Sequence, residues 1–343
     1  MKSIVFRAEP SGAPVLVLVS GANRVDEAWM SGVVAERLGR ADPEFVRSVT
    51  GFAIGGVPPV GHPARLRTVI DRDLLELSEV WAAAGHPHAV CRLSSRELLE
   101  LVGGTVASVT PVTPAGPTER WVTFDCYGTL VDWRAGFVRA AVRLGLADSP
   151  AAGDRLFRAY LEAERDIEGA TYRSYRDVVA ETVERAVRSV GGHVTLDTAR
   201  QLPESIPEWP AFSDVPESLD SLRRQGLRIG ILSNIDRDLL AGTFARQGIS
   251  ADAVVTAEDV RSYKPGPPHW IRFLKSTGAE PRDVVHVSAS YEYDLETAAA
   301  LGFPTVYVAR YVPLDAARTV SHQLTGLSGL PSCPPVARLG ARP

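Results

Sequence analysis

Asp125 stands where a carboxylate is badly placed for folding and well placed for chemistry. It follows the apolar run Trp121–Phe124 (WVTF) and precedes a Gly-Thr turn at Gly128 and Thr129. Buried parallel strands read as short apolar runs, and ligands bind where such strands end. A carboxylate there can attack an electrophilic centre and form an ester or acyl-phosphate that water then hydrolyses. To stay ionised while partly desolvated it needs a cation within about 4–6 Å. The chain offers few compact ones: three lysines, Lys2, Lys264 and Lys275, against 34 arginines. Arginine fills most surface roles of lysine but cannot replace a compact ammonium. Lys264, in SYKPGPPHW, is therefore the candidate charge partner. Ser233 and Asn234, in ILSNID, can donate hydrogen bonds to a substrate's acid group or to developing charge.

The elements that must position these groups follow from the pattern of the chain. Strand-like runs at Trp121–Phe124, Arg228–Leu232, Ala253–Thr256, Val284–Val287 and Thr305–Val308 alternate with helical stretches, which predicts a parallel doubly wound sheet. About a hundred residues separate the first two strands and read as mostly helical, including Arg155–Glu168 and Tyr175–Ser189. They predict a helical cap over the strand ends, at roughly 136–206. Cys126 should face the other side of the strand end, in the core. Thr110–Arg120 (TPVTPAGPTER) holds three prolines and no apolar periodicity, and reads as a linker at 113–119. Before it, residues 1–112 form a small mixed α/β domain. There Val15–Val19 and Arg67–Ile70 read as strands and Glu27–Leu38 as an amphipathic helix. Ser94–Val102 reads as a helix opened by a capping box. The hydrolase-like domain spans 120–330, and the Pro- and Gly-rich residues 331–343 read as a disordered tail.

Bulk numbers exclude several classes. With 343 residues, 45% hydrophobic and 23% charged, the chain has ample core for two domains. A net charge of −4 provides no global field for nucleic acid. No run of 18 uninterrupted apolar residues and no signal-peptide pattern occur, so no membrane partner is expected. The three scattered cysteines fit a reducing cytoplasm and argue against structural zinc.

Asp125-Cys-Tyr-Gly-Thr-Leu-Val-Asp resembles the nucleophile motif of the haloacid dehalogenase superfamily, and three further motifs follow in order over 120–330. Ser233 and Asn234 match the second, Lys264 the third, and SASYEYD (Ser288 to Asp294) the fourth. The superfamily's phosphatases carry a second aspartate two residues after the nucleophile, where this chain has Tyr127. They also hold Mg²⁺ with an acid at the position of Ala289. Both departures point the same way, because halide leaves without a proton and Mg²⁺ wants several hard oxygen ligands. The set looks like the L-2-haloacid dehalogenases, which need no metal or organic cofactor. That resemblance implies Asp125 as nucleophile, Lys264 as its charge partner, Thr129 as its orienter and Asp294 as the positioner of water. It gives Ser233 and Asn234 to the substrate carboxylate. Tyr127, Ser288 and Ser290 would line the substrate site. Trp270 stands where the family has a tyrosine, and the fourth motif is one residue longer than usual. Arg158, in LFRAYLEAE, is either the family's cap arginine or a solvated helix residue. Tyr172 and Tyr175 read as cap packing.

Residues 1–112 resemble the YbaK-type aminoacyl-tRNA deacylases, through MKSIVFR, LVLVSGANRVDE, TGFAIGGVPPVGHP and WAAAGHPHAVCRLSSRELLEL. Gly55, Gly56, Pro58, Pro59 and Gly61 force a fixed loop whose backbone can approach a ligand. In the family such a loop and a lysine, here Lys2, surround the aminoacyl ester, with His62 in the loop and Asp71 after it. The family has tens of residues ahead of that lysine, which implies either a start upstream of Met1 or lost editing, with Lys2 at a fraying end. Eleven Lys and Arg against twelve Asp and Glu leave this part little phosphate attraction of its own.

The sequence thus predicts a hydrolase acting through Asp125 on small (S)-2-haloacids, without cofactor. The alternatives are a deacylase acting on tRNA through the first domain, and a phosphatase or phosphonatase holding Mg²⁺ at Asp294. The dehalogenase resemblance also implies a homodimer.

Overall fold

The computed structural model describes residues 1–111, 119–168 and 172–340. The linker expected at 113–119 lies outside these residues except for Glu119. The described residues form two compact units, each with its own sheet.

The first unit opens with β1 (Lys2–Glu9) and β2 (Pro14–Val19), an antiparallel pair in which Lys2 stands opposite Val19. Lys2 is thus a strand residue, and its ammonium donates to the Asn23 carbonyl at 2.9 Å. The register pairs the chain from its second residue. Helix α1 (Glu27–Val34) is shorter than the predicted Glu27–Leu38. Ala35 turns into the left-handed region at φ 57°, and the chain then pairs as β3 (Arg37–Arg40) with β1. Tertiary pairing has overridden a helical pattern there. Helix α2 (Pro43–Thr50), β4 (Arg67–Asp71), β5 (Glu79–Ala83), β6 (Val90–Ser94), α3 (Ser95–Val102) and β7 (Thr105–Ala107) complete the unit. The main sheet has order β3-β1-β2-β4-β7, with β2, β4 and β7 parallel, and β5 and β6 form a separate hairpin. The capping box at Ser94 and Glu97 is present as read.

In the second unit β8 (Trp121–Phe124), with every residue buried, occupies the middle of the sheet. Four helices follow: α4 (Trp133–Arg143), α5 (Pro150–Glu168), α6 (Tyr175–Ser189) and α7 (Leu196–Glu204). These are the expected cap. The chain then alternates through α8 (Val215–Arg224), β9 (Arg228–Ser233), α9 (Arg237–Gln247), β10 (Ala253–Thr256), α10 (Ala257–Val260), α11 (Pro268–Thr277), β11 (Val284–Ser288), α12 (Glu296–Ala300), β12 (Thr305–Val308), β13 (His322–Leu324) and α13 (Pro334–Gly340), of which α11, within Gly266–Gly278, groups with the first unit. The sheet order is β10-β9-β8-β11-β12-β13, with all pairs parallel. Strands buried on both faces need continuous apolar runs, and each buried Val, Leu or Phe contributes about 2 kcal/mol. That is why these strands read so clearly.

The tail is a correction. Its segment 334–340 is a helix rather than disordered, because Val336 and Leu339 are buried in the same core as Val122 and Val285. Residues 341–343 lie outside the description. No described helix is long and apolar enough to cross a membrane.

Candidate active site

Parallel pairing brings three strand ends together. Asp125 follows β8, its N–H donating to the Val287 carbonyl of β11 at 3.1 Å; Ser233 ends β9 and Ser288 ends β11. The sheet changes direction of winding about β8, the place where open α/β sheets bind ligands.

The Lys264 ammonium, 2% exposed, reaches this point and joins two carboxylates. It donates to Asp125 Oδ1 at 2.8 Å and to Asp294 Oδ1 at 2.7 Å, with a third bond to the Leu232 carbonyl at 3.0 Å. All three donors of the ammonium are therefore used. Burial alone would lower the Lys264 pKa, but the two carboxylates outweigh it and raise it. Burial raises Asp125; Lys264 opposes the rise and the Asp294 charge adds to it. For Asp294 burial also pushes upward, yet Lys264 and His286 prevail and the net shift is downward. Asp294 is thus the more readily ionised member, and Lys264 is the neighbour that most favours ionisation of Asp125.

The other oxygen of Asp125 is oriented as well. Thr129 Oγ1 donates to Asp125 Oδ2 at 2.8 Å and accepts from the Ala289 N–H at 3.0 Å, which fixes the direction of its proton. Behind Asp294, Ser288 Oγ donates to Oδ2 at 3.2 Å, and His286 Nε2 lies 3.1 Å from Oδ1 while its Nδ1 contacts Thr123 Oγ1. The extra residue of the fourth motif is taken up in a wide π-turn, Tyr291–Leu295, where the Leu295 N–H reaches the Ser290 carbonyl. Asp294 still meets Lys264 because of that bulge. Ser290 caps the turn through the Tyr293 N–H and lines the cavity.

Asn234 lines the cavity too, but its amide is turned to the backbone. Its Nδ2 donates to the Lys264 carbonyl at 3.1 Å and its Oδ1 accepts from the Lys264 N–H at 2.7 Å. Asn234 thus braces the Lys264 backbone from the cavity wall. Tyr127 lines the site with its ring, while its hydroxyl is 2.7 Å from Thr243. Burial raises that phenol well above its usual range. Trp270 is fully buried on α11 and is absent from the cavity lining. Cys126 is buried, as its place beside the nucleophile predicted.

Two chambers open over Asp125, an inner one of about 90 Å³ and an outer one of about 630 Å³. Arg158, exposed on α5, lines the outer chamber. Tyr175 lines the inner one, beyond its expected packing role. Sequence reasoning missed four supports. Glu164 lines both chambers. Asp236 accepts from the first N–H groups of α6, Tyr175 and Arg176. His286 backs Asp294. Arg310 donates to the Thr129 carbonyl and pairs with Asp214 through two bonds of 2.8 Å. A divalent cation would have to draw on Asp125 and Asp294, whose Oδ1 atoms Lys264 already engages. No group of three or more His, Cys, Asp or Glu among the described residues suits a metal.

In the first unit a cavity of about 630 Å³ is lined by β1 residues together with Arg24, Glu27, Arg40 and Gly55. Of the seven residues expected at an editing site, only Gly55 lines it. Gly56 and Pro58 lie in the adjoining loop, where a Cβ at Gly56 would crowd the His86 backbone. Gly61 takes a positive φ of 89°. His62 packs edge-on against Phe52. Asp71 accepts from the Ser20 N–H and the Asn23 amide, a structural duty.

Comparison with known proteins gives two family matches. Residues 119–302 match the haloacid dehalogenase-like hydrolases, and residues 1–101 the aminoacyl-tRNA editing domain. An (S)-2-haloacid dehalogenase of Pseudomonas sp. (strain CBS-3) is 27% identical over 217 residues, covering 62% of this chain and 95% of its own. A phosphoglycolate phosphatase of Yersinia pestis is 30% identical over 193 residues, covering 54% of this chain and 79% of its own. The solved L-2-haloacid dehalogenase of Xanthobacter autotrophicus shares the fold of the second unit. It superposes with a TM-score of 0.56 at 20% identity, over 63% of this chain and 98% of that one.

Proposed function

The chain belongs to the haloacid dehalogenase-like hydrolases, and on that basis we propose that it converts small (S)-2-haloacids into 2-hydroxy acids through an Asp125 ester. The observation that carries this reading is Tyr127. At the position from which a phosphatase would protonate a leaving oxygen stands a phenol whose hydroxyl is held by Thr243. A leaving group that departs without a proton suits such a site.

In this reading an Asp125 oxygen attacks C2 opposite the halogen. The C2–O bond forms, the carbon–halogen bond breaks, and halide departs with the bonding pair. Water, oriented by Asp294, then adds to the Asp125 carboxyl carbon. The bond from that carbon to the substrate oxygen breaks, the 2-hydroxy acid takes one proton of the water, and the other is released. Lys264 keeps the nucleophile ionised, and Thr129 aims it. Ser233 and the cavity-lining N–H groups hold the substrate carboxylate, and Arg158 guides acids into the outer chamber. The inner chamber's roughly 90 Å³ supports a small substrate.

The test is halide release from both enantiomers of 2-chloropropionate, with EDTA and with Asp125→Asn as control. Release from the L form alone, unaffected by EDTA and reduced on the order of 10⁴-fold or more in the variant, is expected. No release from either enantiomer would overturn the reading. EDTA-sensitive release of phosphate from an ester would replace it with the phosphatase alternative.

The first unit supports a second activity, deacylation of mischarged aminoacyl-tRNA. The match of residues 1–101 and the cavity with Arg24 and Arg40 favour it. Loss of deacylation in Arg24→Ala is the expected result.

A further inference from the structure

One buried carboxyl over Asp125 has no part in the steps above. Glu164, on α5, is 4% exposed and lines both chambers. Its Oε1 accepts from the Tyr160 hydroxyl at 2.8 Å and from the Tyr175 hydroxyl at 3.0 Å. Its Oε2 takes no hydrogen bond from the described residues. Two phenols thus pin the side chain by one oxygen and leave the other for whatever occupies the cavity. A buried carboxylate normally has a cation or several N–H donors. Among the described residues Glu164 has neither, so its surroundings favour the protonated acid.

The charges that face it agree. Across the cavity lie Asp125, Asp294 and Lys264, two carboxylates and one ammonium, a net negative cluster. Tyr127, Tyr175 and Tyr293 line the same chamber, and Tyr160 neighbours Glu164 on its own helix. The cations Arg158 and Arg165 of α5, and Arg134 and Arg318 from elsewhere, line only the outer chamber, beside Asp154 and Glu292. Burial raises Glu164 from its ordinary 4.5 to about 7, with the two phenols opposing. At neutral pH a substantial share therefore carries its proton.

We infer that Glu164 is a catalytic residue of the displacement step, donating a hydrogen bond from its carboxyl O–H to the departing halogen. The inference rests on Asp125 acting as proposed above. As Asp125 forms the C–O bond, halide leaves with the bonding pair and Glu164 keeps its proton. An ionised Glu164 would repel both the halide and the substrate's own carboxylate. The cap thus selects for leaving groups that accept a hydrogen bond.

The experiment follows kcat for L-2-chloropropionate from pH 5 to 9 in wild type, Glu164→Gln and Glu164→Ala, with thermal melts to verify folding. Wild-type kcat should fall as pH rises through about 7. Glu164→Gln keeps an N–H donor and cannot ionise, so it should retain kcat at pH 6 within about threefold and lose the alkaline limb. Glu164→Ala should lose on the order of 10²-fold at pH 6, as for removal of one transition-state donor. An unchanged limb in Glu164→Gln, unaltered kcat in Glu164→Ala, or a wild-type profile rising through pH 7 would each overturn this inference alone. A wild type that releases no halide would overturn the dehalogenase reading, and this inference with it.

Discussion

Lys264 holds together a site that would otherwise be two buried acids side by side. Replacing it with methionine keeps the volume and removes the charge, leaving Asp125 and Asp294 uncompensated. Breaking a buried pair in this way costs about 3–5 kcal/mol. The carboxylates can escape part of that cost by taking up protons, so the penalty should shrink as pH falls and be greatest near pH 8. Denaturant melts of Lys264→Met at pH 5 and pH 8 check the sign, and an equal loss at both would contradict it. Halide release should fall by about 10³-fold or more, because a protonated Asp125 is no nucleophile. Asp125 was conspicuous as a charge at the end of an apolar strand, Lys264 as one of three lysines, and Asp294 only through the resemblance of the fourth motif. Glu164 was not. In LEAERDIE it looks like any acid on a solvated helix face, and nothing local reveals that two tyrosines and a cavity surround it. Asn234 was found, but its bonds to the Lys264 backbone were not legible, since that partner lies 30 residues further along the chain.

At the scale of elements, the first cap helix passes very close to the segment that leads out of the cap. A Cβ on Gly136 of α4 would fall inside the Trp209 ring, which is itself buried and bonded to Ser205 through its indole N–H. Replacing a helical glycine with alanine ordinarily gains up to about 1 kcal/mol. Here overpacking should win, since forcing a methyl into a filled core costs about 1–3 kcal/mol and the indole has nowhere to go. Gly136→Ala should therefore melt lower than wild type by a net 1–2 kcal/mol; a higher melting temperature would show the contact to be soft. The cap helix α6 and the strands β8, β10 and β12 were read to the residue, because their apolar patterns are sharp and turn signals bound them. The short β13 and the charged β3 gave no such pattern, since pairing with distant partners makes them strands. Helix α13 was hidden by its two leading prolines, which stop a helix inside but are tolerated in its first turn.

At the scale of the molecule, each unit has its own sheet, its own buried cluster and its own cavity. Chemistry in one should not need side chains of the other. Asp125→Asn is expected to abolish halide release and leave deacylation of mischarged tRNA within about twofold, and Arg24→Ala to do the reverse. Loss of both activities from either substitution would contradict that independence. Composition marks a division at the proline-rich Thr110–Arg120, whereas the grouping of Gly266–Gly278 with the first unit had no signal in the sequence. Which residues line the first unit's cavity was not legible. Arg24 and Arg40 are two among 34 arginines, and only the fold of β1 to β3 brings them to one opening.

Trp133 stands apart from Trp121, Trp209 and Trp270. Those three are almost wholly buried, whereas Trp133 borders both chambers, edge-on to Phe157 and Tyr160. The protein therefore carries an intrinsic optical reporter at the mouth of its nucleophile. A ligand entering the inner chamber changes the polarity around one indole while the buried three stay constant. Emission from Asp125→Asn, which holds substrate without consuming it, can thus be titrated directly, giving occupancy for any acid before its chemistry is known.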